Sequence, residues 1–144
     1  MYSPLLESIV ERENFKIMSA DELEAYAPDR EDIVLFFAGD AARMADSDDV
    51  AVVLPELVKA FENIFEAVIV HRESERALQL KYRFNAYPAL VFLRKGDYLG
   101  TIQKIQDWTD YINEISDILK RSPSAPPPYS LPDGCATQPQ QPAN

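Results

Sequence analysis

Charged residues that could bind a partner are gathered in the stretch 39–49, directly ahead of a predicted helix. The stretch is rich in Asp, Ala and Gly, and most of its acids lie close to the start of that helix. Carboxylates in this place gain from the helix dipole and can cap the first backbone amides, but one acid is enough for a cap. The set of acids therefore predicts a surface that receives a cationic peptide. Its charged residues are Asp40, Arg43, Asp46, Asp48 and Asp49.

Other chemistries have less support in the sequence. Cys135 is the only cysteine, so the chain forms no internal disulfide. His71, the only histidine, follows an apolar strand and is interpreted as a strand-end residue, because no serine or cysteine motif is placed to use it as a base. A calcium loop is the weaker alternative for the stretch 39–49, which lacks the central glycine and closing glutamate of an EF-hand. We predict no enzymatic activity, no metal and no cofactor.

The negative charge is concentrated in the first half of the chain. The formal net charge is −10, and residues 1–66 hold 16 acids against 5 bases, whereas residues 67–121 hold 7 acids and 9 bases. An acidic surface repels nucleic-acid phosphates and anionic lipids, and it attracts a basic segment. The alternative is that the charge only keeps the protein soluble. We predict no nucleic acid as a partner and no stable insertion into a membrane.

Length and composition predict one soluble domain with a tail. The chain has 144 residues, of which 47% are hydrophobic, and its apolar runs are shorter than the roughly 20 residues that span a bilayer. No basic-then-apolar leader is recognised at the N-terminus, so we predict a cytoplasmic protein. Residues 1–121 form the predicted domain. Residues 122–144 are rich in Pro, Ser and Gln and are predicted to be disordered. Their Pro-Pro-Pro-Tyr sequence at 126–129 matches the form of a WW-domain ligand, and we attribute this match to chance in a proline-rich segment.

Hydrophobic periodicity predicts an N-terminal helix followed by the order β-α-β-α-β-α-β-β-α. Ser19 and Glu22 form a capping-box pattern at the start of one helix, and Pro55 lies inside another. The central strands are almost continuously apolar, which is typical of strands covered by helices on both faces. The predicted helices are 5–13, one over Leu23 and Tyr26, 50–61, 73–84 and one from Trp108; the predicted strands are 15–18, 33–38, 66–71, 89–93 and 98–103.

This frame resembles thioredoxin. In thioredoxins the central strand leads through a Cys-X-X-Cys loop into a helix with a proline, and a cis-proline precedes a later strand and faces the cysteines. Here Pro55 and Tyr87-Pro88 match the prolines, whereas the dithiol positions, counted back from Pro55, fall on Ser47 to Val50. The resemblance implies a thioredoxin-like, three-layer α/β/α fold with a central mixed sheet, used for binding and not for redox catalysis.

Tyr87 and Pro88 are the second predicted partner-binding site. In the thioredoxin fold the residue before this proline offers its backbone to an extended peptide, which is a form of strand addition. The alternative is that Pro88 only ends a helix and shapes the entry to the next strand.

Several motifs resemble the HyaE/HupG/HoxO family of hydrogenase accessory proteins, which are thioredoxin-like and lack the Cys-X-X-Cys pair. The resemblance covers about residues 5–121. The chain departs from the family in two details: Pro55 stands in the helix as in true thioredoxins, and the proline-rich tail beyond residue 121 has no counterpart. The resemblance depends on the sequences at 40–43, 82–92 and 96–100, on Glu56-Leu57 and on Ile105 and Trp108.

The resemblance implies a non-redox chaperone in the maturation of a nickel-iron hydrogenase. Such a protein would hold the small-subunit precursor by its twin-arginine signal peptide before export, and other hydrogenase accessory proteins are possible partners. In this scheme the acids supply charge, Pro88 shapes a groove, and Tyr87 and Phe36 contribute packing. Two alternatives stay open: a generic thioredoxin-fold scaffold with another partner, and a redox enzyme that uses Cys135 with a partner thiol.

Overall fold

The computed structural model describes residues 2–40 and 44–127, and the order of its helices and strands is the predicted one. The helices are α1 (Pro4–Glu13), α2 (Ala20–Tyr26), α3 (Met44–Ala60), α4 (Glu75–Tyr82) and α5 (Trp108–Leu119). The strands are β1 (Lys16–Met18), β2 (Asp32–Phe37), β3 (Phe65–Val70), β4 (Ala89–Arg94) and β5 (Asp97–Gln103).

The five strands form one mixed sheet in the order β1-β3-β2-β4-β5. β3 is parallel to β1 and β2, whereas β4 is antiparallel to β2 and β5. Every residue of β2 from Ile33 to Phe37 is buried, because helices cover both faces of the sheet. The predicted central strand is therefore confirmed.

Two hydrophobic cores lie on the two faces of the sheet. On one face, α1, α3 and α5 pack on side chains such as Val34 and Phe36. On the other face, α2 and α4 pack on Leu35 and Phe37. Alternation along β2 thus sends neighbouring side chains into opposite cores, which gives the predicted three layers.

Local sequence signals fix the helix ends. The Ser19–Glu22 capping box is present, since Ser19 Oγ accepts from the Glu22 N–H and the Glu22 carboxylate accepts from the Ser19 N–H. Ser3 caps α1 by accepting from the Leu6 N–H at 3.1 Å.

The predicted start of the third helix is wrong. α3 begins at Met44 and not at Val50, so the stretch interpreted as an acidic loop is largely helix. Acids in the first turns are favoured by the helix dipole, and the buried Ser47 hydroxyl donates to the Ala38 carbonyl, which fastens this part of the helix to the end of β2. The helix then continues through Pro55 to Ala60.

The predicted helix 73–84 is also too long. Residues Arg72–Ser74 form a 3-10 turn, and α4 ends at Tyr82 because Arg83 adopts a left-handed conformation with φ 64°.

The first residues of the predicted tail contact the domain. Ser122–Pro127 has no helix or strand, yet the Ser124 N–H donates to the Tyr98 carbonyl at 3.0 Å. The remainder of the tail predicted to be disordered, with Cys135, lies outside the described residues. Among the helices of the described ranges, none has both the length and the apolar composition that a membrane span requires.

Candidate partner-binding surface

The candidate surface lies where the three parallel strands end. β1, β2 and β3 run in the same direction, so the residues that follow Met18, Phe37 and Val70 meet at one edge of the sheet. In open α/β sheets, this carboxyl edge is the usual place for ligands. A shallow depression there is lined by residues that include Tyr2, Ser3, Gly39, Asp40, Asp48 and Arg72.

The structure separates the predicted acids into two groups. Asp46 and Asp49 are exposed and three residues apart on α3, so they share one helix face. Asp40 is exposed at the end of the loop after β2. We call Asp40, Asp46 and Asp49 the acidic surface. Arg43, assigned to the same surface from the sequence, lies outside the described residues.

Asp48 has a structural contact that the sequence did not reveal. Its carboxylate is half-buried and accepts a hydrogen bond from the Ser3 hydroxyl, and Ser3 is also the cap of α1. Asp48 thereby joins the first turns of α1 and α3. Because its carboxylate accepts this hydrogen bond, Asp48 is less available to a partner than the exposed Asp46 and Asp49.

The positions equated with the thioredoxin dithiol face the core. Ser47 and Val50 are both buried on the inner side of α3, with 5% and 1% of their surface exposed. The count from Pro55 therefore falls inside the helix and not on its exposed tip, because α3 begins at Met44.

A buried carboxylate supports the loop that carries Asp40. Glu75 has 5% of its surface exposed, accepts from the Gly39 N–H at 3.2 Å, and pairs with Arg72 at 3.3 Å. Burial raises the pKa of Glu75, while the hydrogen bond from Gly39 and the charge of Arg72 oppose the rise. Sequence reasoning missed this residue, because a glutamate at a helix start looks like a helix-dipole residue on the surface.

Gly39 and Tyr87 connect the acidic surface to the Pro88 loop. Gly39 has φ +86°, and a Cβ placed on it would lie 2.9 Å from the Tyr87 Cβ, so only glycine fits there. The Tyr87 hydroxyl donates to the Gln79 side chain at 3.1 Å. The half-buried Tyr87 ring also packs edge to face on Phe84, and burial together with the Glu75 charge raises the pKa of Tyr87 to about 12.

The Tyr87–Pro88 peptide bond is cis, as in the thioredoxin frame. Pro88 itself is buried, and its carbonyl accepts from the Lys104 N–H at 2.7 Å. The proline therefore positions the loop, and Tyr87 is the member of the pair with exposed surface. The contact with Lys104 also brings the start of the β5–α5 loop to this site.

Two exposed apolar side chains belong to that same loop and the helix after it. Ile105 follows Lys104 directly and has 44% of its surface exposed, and Trp108 at the start of α5 has 46% exposed. Exposed aromatic and branched side chains at a loop are typical of contact surfaces. The sequence marked both residues only as family motifs, since their exposure depends on how α5 packs.

The structure confirms the strand-end interpretation of His71. Its Nδ1 accepts from the Glu73 N–H at 3.2 Å and so caps the 3-10 turn after β3. Within the described ranges, no group of three or more His, Cys, Asp or Glu side chains is arranged to hold a metal ion.

Comparison with protein families decides the family. The family model described as "Hydrogenase-1 expression protein HyaE" matches residues 5–111, which is more than half of the chain. The chain belongs to the HyaE family. The resemblance inferred from the motifs is therefore confirmed.

Curated relatives agree with this assignment. The hydrogenase expression/formation protein HoxO of Azotobacter vinelandii is 40% identical over 119 residues, which are 83% of this chain and 80% of that protein. HoxO of Cupriavidus necator is 37% identical over 131 residues, which are 90% of this chain and 81% of that protein.

Comparison with solved structures confirms the thioredoxin-like fold. Oxidized mitochondrial thioredoxin 3 of Saccharomyces cerevisiae matches this HyaE-family protein with a TM-score of 0.60 at 15% identity, over 73% of this chain and 96% of that chain. At this level of identity the likeness concerns the fold alone.

Proposed function

We propose that this HyaE-family protein is a non-redox chaperone of hydrogenase maturation, which holds the small-subunit precursor by its twin-arginine signal peptide before export. The names of its relatives support a role in hydrogenase expression or formation. The observation that carries the proposal is the chain of contacts from Asp40 through Gly39 and Tyr87 to Pro88, whose carbonyl accepts from the Lys104 N–H next to the exposed Ile105.

The order of chemical groups in a signal peptide fits this arrangement. An export signal has a basic segment followed by an apolar stretch of about 7–15 residues. Asp46 and Asp49 provide exposed carboxylates for the basic segment, and arginine binds carboxylates better than lysine because its planar guanidinium can bond both oxygens. Ile105 and Trp108 provide apolar surface for the stretch that follows.

Cysteine placement favours binding over redox catalysis. The only cysteine of the sequence is Cys135, far along the chain from α3, and Ser47 and Val50 occupy the counted dithiol positions. Without a thiolate at the start of α3, the domain itself has no nucleophile for disulfide exchange.

Trp108 makes the test direct, because it is the only tryptophan and belongs to the proposed surface. The purified chain is titrated with a small-subunit twin-arginine signal peptide, with an Arg-Arg→Lys-Lys peptide as the matched control, at low and moderate salt. We expect a blue shift of the Trp108 emission with the native peptide, tighter binding at low salt, and weaker binding of the Lys-Lys peptide.

Two results would contradict the proposal. Equal affinity for both peptides at every salt concentration would remove the role of the acidic surface. Absence of binding at low salt would leave a thioredoxin-fold interaction domain with a different partner.

A further inference from the structure

We infer that the groove between α4 and the β4–β5 turn is a docking site for this chain's own proline-rich continuation, residues 128–144. The groove lies on the α4 side of the sheet, away from the acidic surface. It has a volume of about 430 Å³ and is lined by residues that include Lys81, Tyr82, Asp97, Tyr98, Pro123 and Pro126.

The direction in which the chain leaves α5 is fixed by two arginines. Arg94 donates to the carbonyls of Leu119 at 2.9 Å and Arg121 at 3.0 Å, while Asp32 holds the Arg94 guanidinium at 2.8 Å. Arg121 in turn donates to the Leu99 carbonyl at 3.3 Å. The residues after α5 are therefore directed across β5 by specific contacts.

Beyond Arg121 the chain bonds to the edge of the sheet. β5 is the last strand of the sheet, and the Ser124 N–H donates to the Tyr98 carbonyl at 3.0 Å. Edge strands leave backbone groups that a further extended segment can cover. This bond places Pro123 and Pro126 along the groove, where Pro126 is half-buried and Pro127 is exposed.

The groove offers surfaces that suit an extended proline-rich segment. Tyr82 and Tyr98 stack with their ring centres 6.1 Å apart, and Lys81 lies 5.4 Å from the centre of the Tyr82 ring. Proline-rich segments dock on aromatic-lined grooves, because they are already extended and lose little conformational entropy on binding.

The chain itself supplies such a segment at the rim of the groove. Residues 128–144 follow Pro127 directly and contain four further prolines. Asp133 is their only charged side chain, so they bring little charge to a groove that carries one base, Lys81, and one acid, Asp97. A segment attached at the rim has an effective concentration on the order of millimolar, so even a weak contact is occupied in cis.

The test uses the full chain with a nitroxide on Cys135, its only cysteine. Amide signals are recorded by NMR with the nitroxide oxidised and then reduced. We expect selective broadening at Lys81, Tyr82, Asp97 and Tyr98, with Lys16–Met18 at the opposite edge of the sheet as the internal control. The broadening should be lost in Pro126→Ala and kept in the matched variant Pro127→Ala.

Two outcomes would overturn the inference. Broadening spread evenly over the surface, or unchanged in both proline variants, would mean that the continuation does not dock in the groove. In a mixture of nitroxide-labelled chains with separate isotope-labelled chains, broadening at the groove would mean that a second copy supplies the segment.

Discussion

Removing the two exposed carboxylates on α3 should weaken signal-peptide binding without changing the fold. In D46N/D49N both side chains keep their size and lose their charge. Asp46 and Asp49 are exposed on one helix face, and no intramolecular ion pair holds either of them in the part of the chain that the structure describes. The free energy of unfolding should therefore change little.

The expected loss of affinity follows from the exposure of these acids. An exposed ion pair contributes about 0.2–1 kcal/mol, so two such pairs with consecutive arginines contribute about 1 kcal/mol together. That corresponds to about a five-fold higher Kd. Reversing both charges in D46K/D49K replaces attraction by repulsion of similar size, which gives about a 25-fold higher Kd.

The assay is the titration with the native signal peptide, followed by Trp108 emission, at about 0.02 M and about 0.15 M salt. At the higher concentration the screening length is about 8 Å, so only nearby charges contribute. E56Q/E62Q is the matched control, since it removes the same charge. Glu56 lies ten residues after Asp46 on α3, about 15 Å along the helix axis, and Glu62 lies beyond the helix end. This control should bind nearly as wild type at the higher salt concentration.

One pattern of results would refute the reasoning. If D46N/D49N and E56Q/E62Q, which remove the same charge, weakened binding equally at moderate salt, only the net charge would matter and no local surface would exist. If D46K/D49K bound as wild type, the signal peptide would bind elsewhere.

Three further predictions concern side-chain contacts within the domain. Ser3→Ala removes the α1 cap and the hydrogen bond to Asp48, and urea unfolding should show a loss of about 1–2 kcal/mol. Arg94→Met leaves Asp32 without its partner, so the free energy of unfolding should fall by about 2–3 kcal/mol, whereas Lys95→Met at an exposed ion pair should change little. Folding raises the pKa of Tyr87 from 10.0 to about 12, so the unfolded chain loses this proton at a lower pH than the folded protein. The stability that the protonated Tyr87 contributes is therefore complete below pH 10 and is lost as pH rises towards 12. In Tyr87→Phe, the free energy of unfolding should fall less steeply over this pH range.

The sequence predicted the fold well where apolar patterns repeat. The order of helices and strands and the buried strand β2 follow from periodicity, since a strand covered on both faces must be apolar throughout. The start of α3 was missed, because acids and small residues are typical of both loops and helix starts. In the structure α3 begins at Met44, and the buried Ser47 hydroxyl in its first turn donates to the Ala38 carbonyl, a contact between residues nine apart that local sequence does not reveal.

The candidate site was predicted only in part. Local sequence identified the acids, Tyr87 and Pro88, but it could not separate Asp48 from Asp46 and Asp49, because the Ser3 contact joins residues 45 apart. Glu75 was missed for the same reason, since its burial depends on packing against Gly39. Long-range contacts decide which charges face a partner.

The position of β2 has a consequence for hydrogen exchange. β2 is bonded to β3 on one side and β4 on the other, and Val34, Leu35 and Phe36 have no exposed surface. Their amides should exchange with solvent only when the whole domain unfolds, whereas the first amides of α3, near Asp46, have no partner within the helix and should exchange without global unfolding. Slow and fast amides in one spectrum would thus measure the stability of the core and of the binding surface separately, with and without a bound peptide.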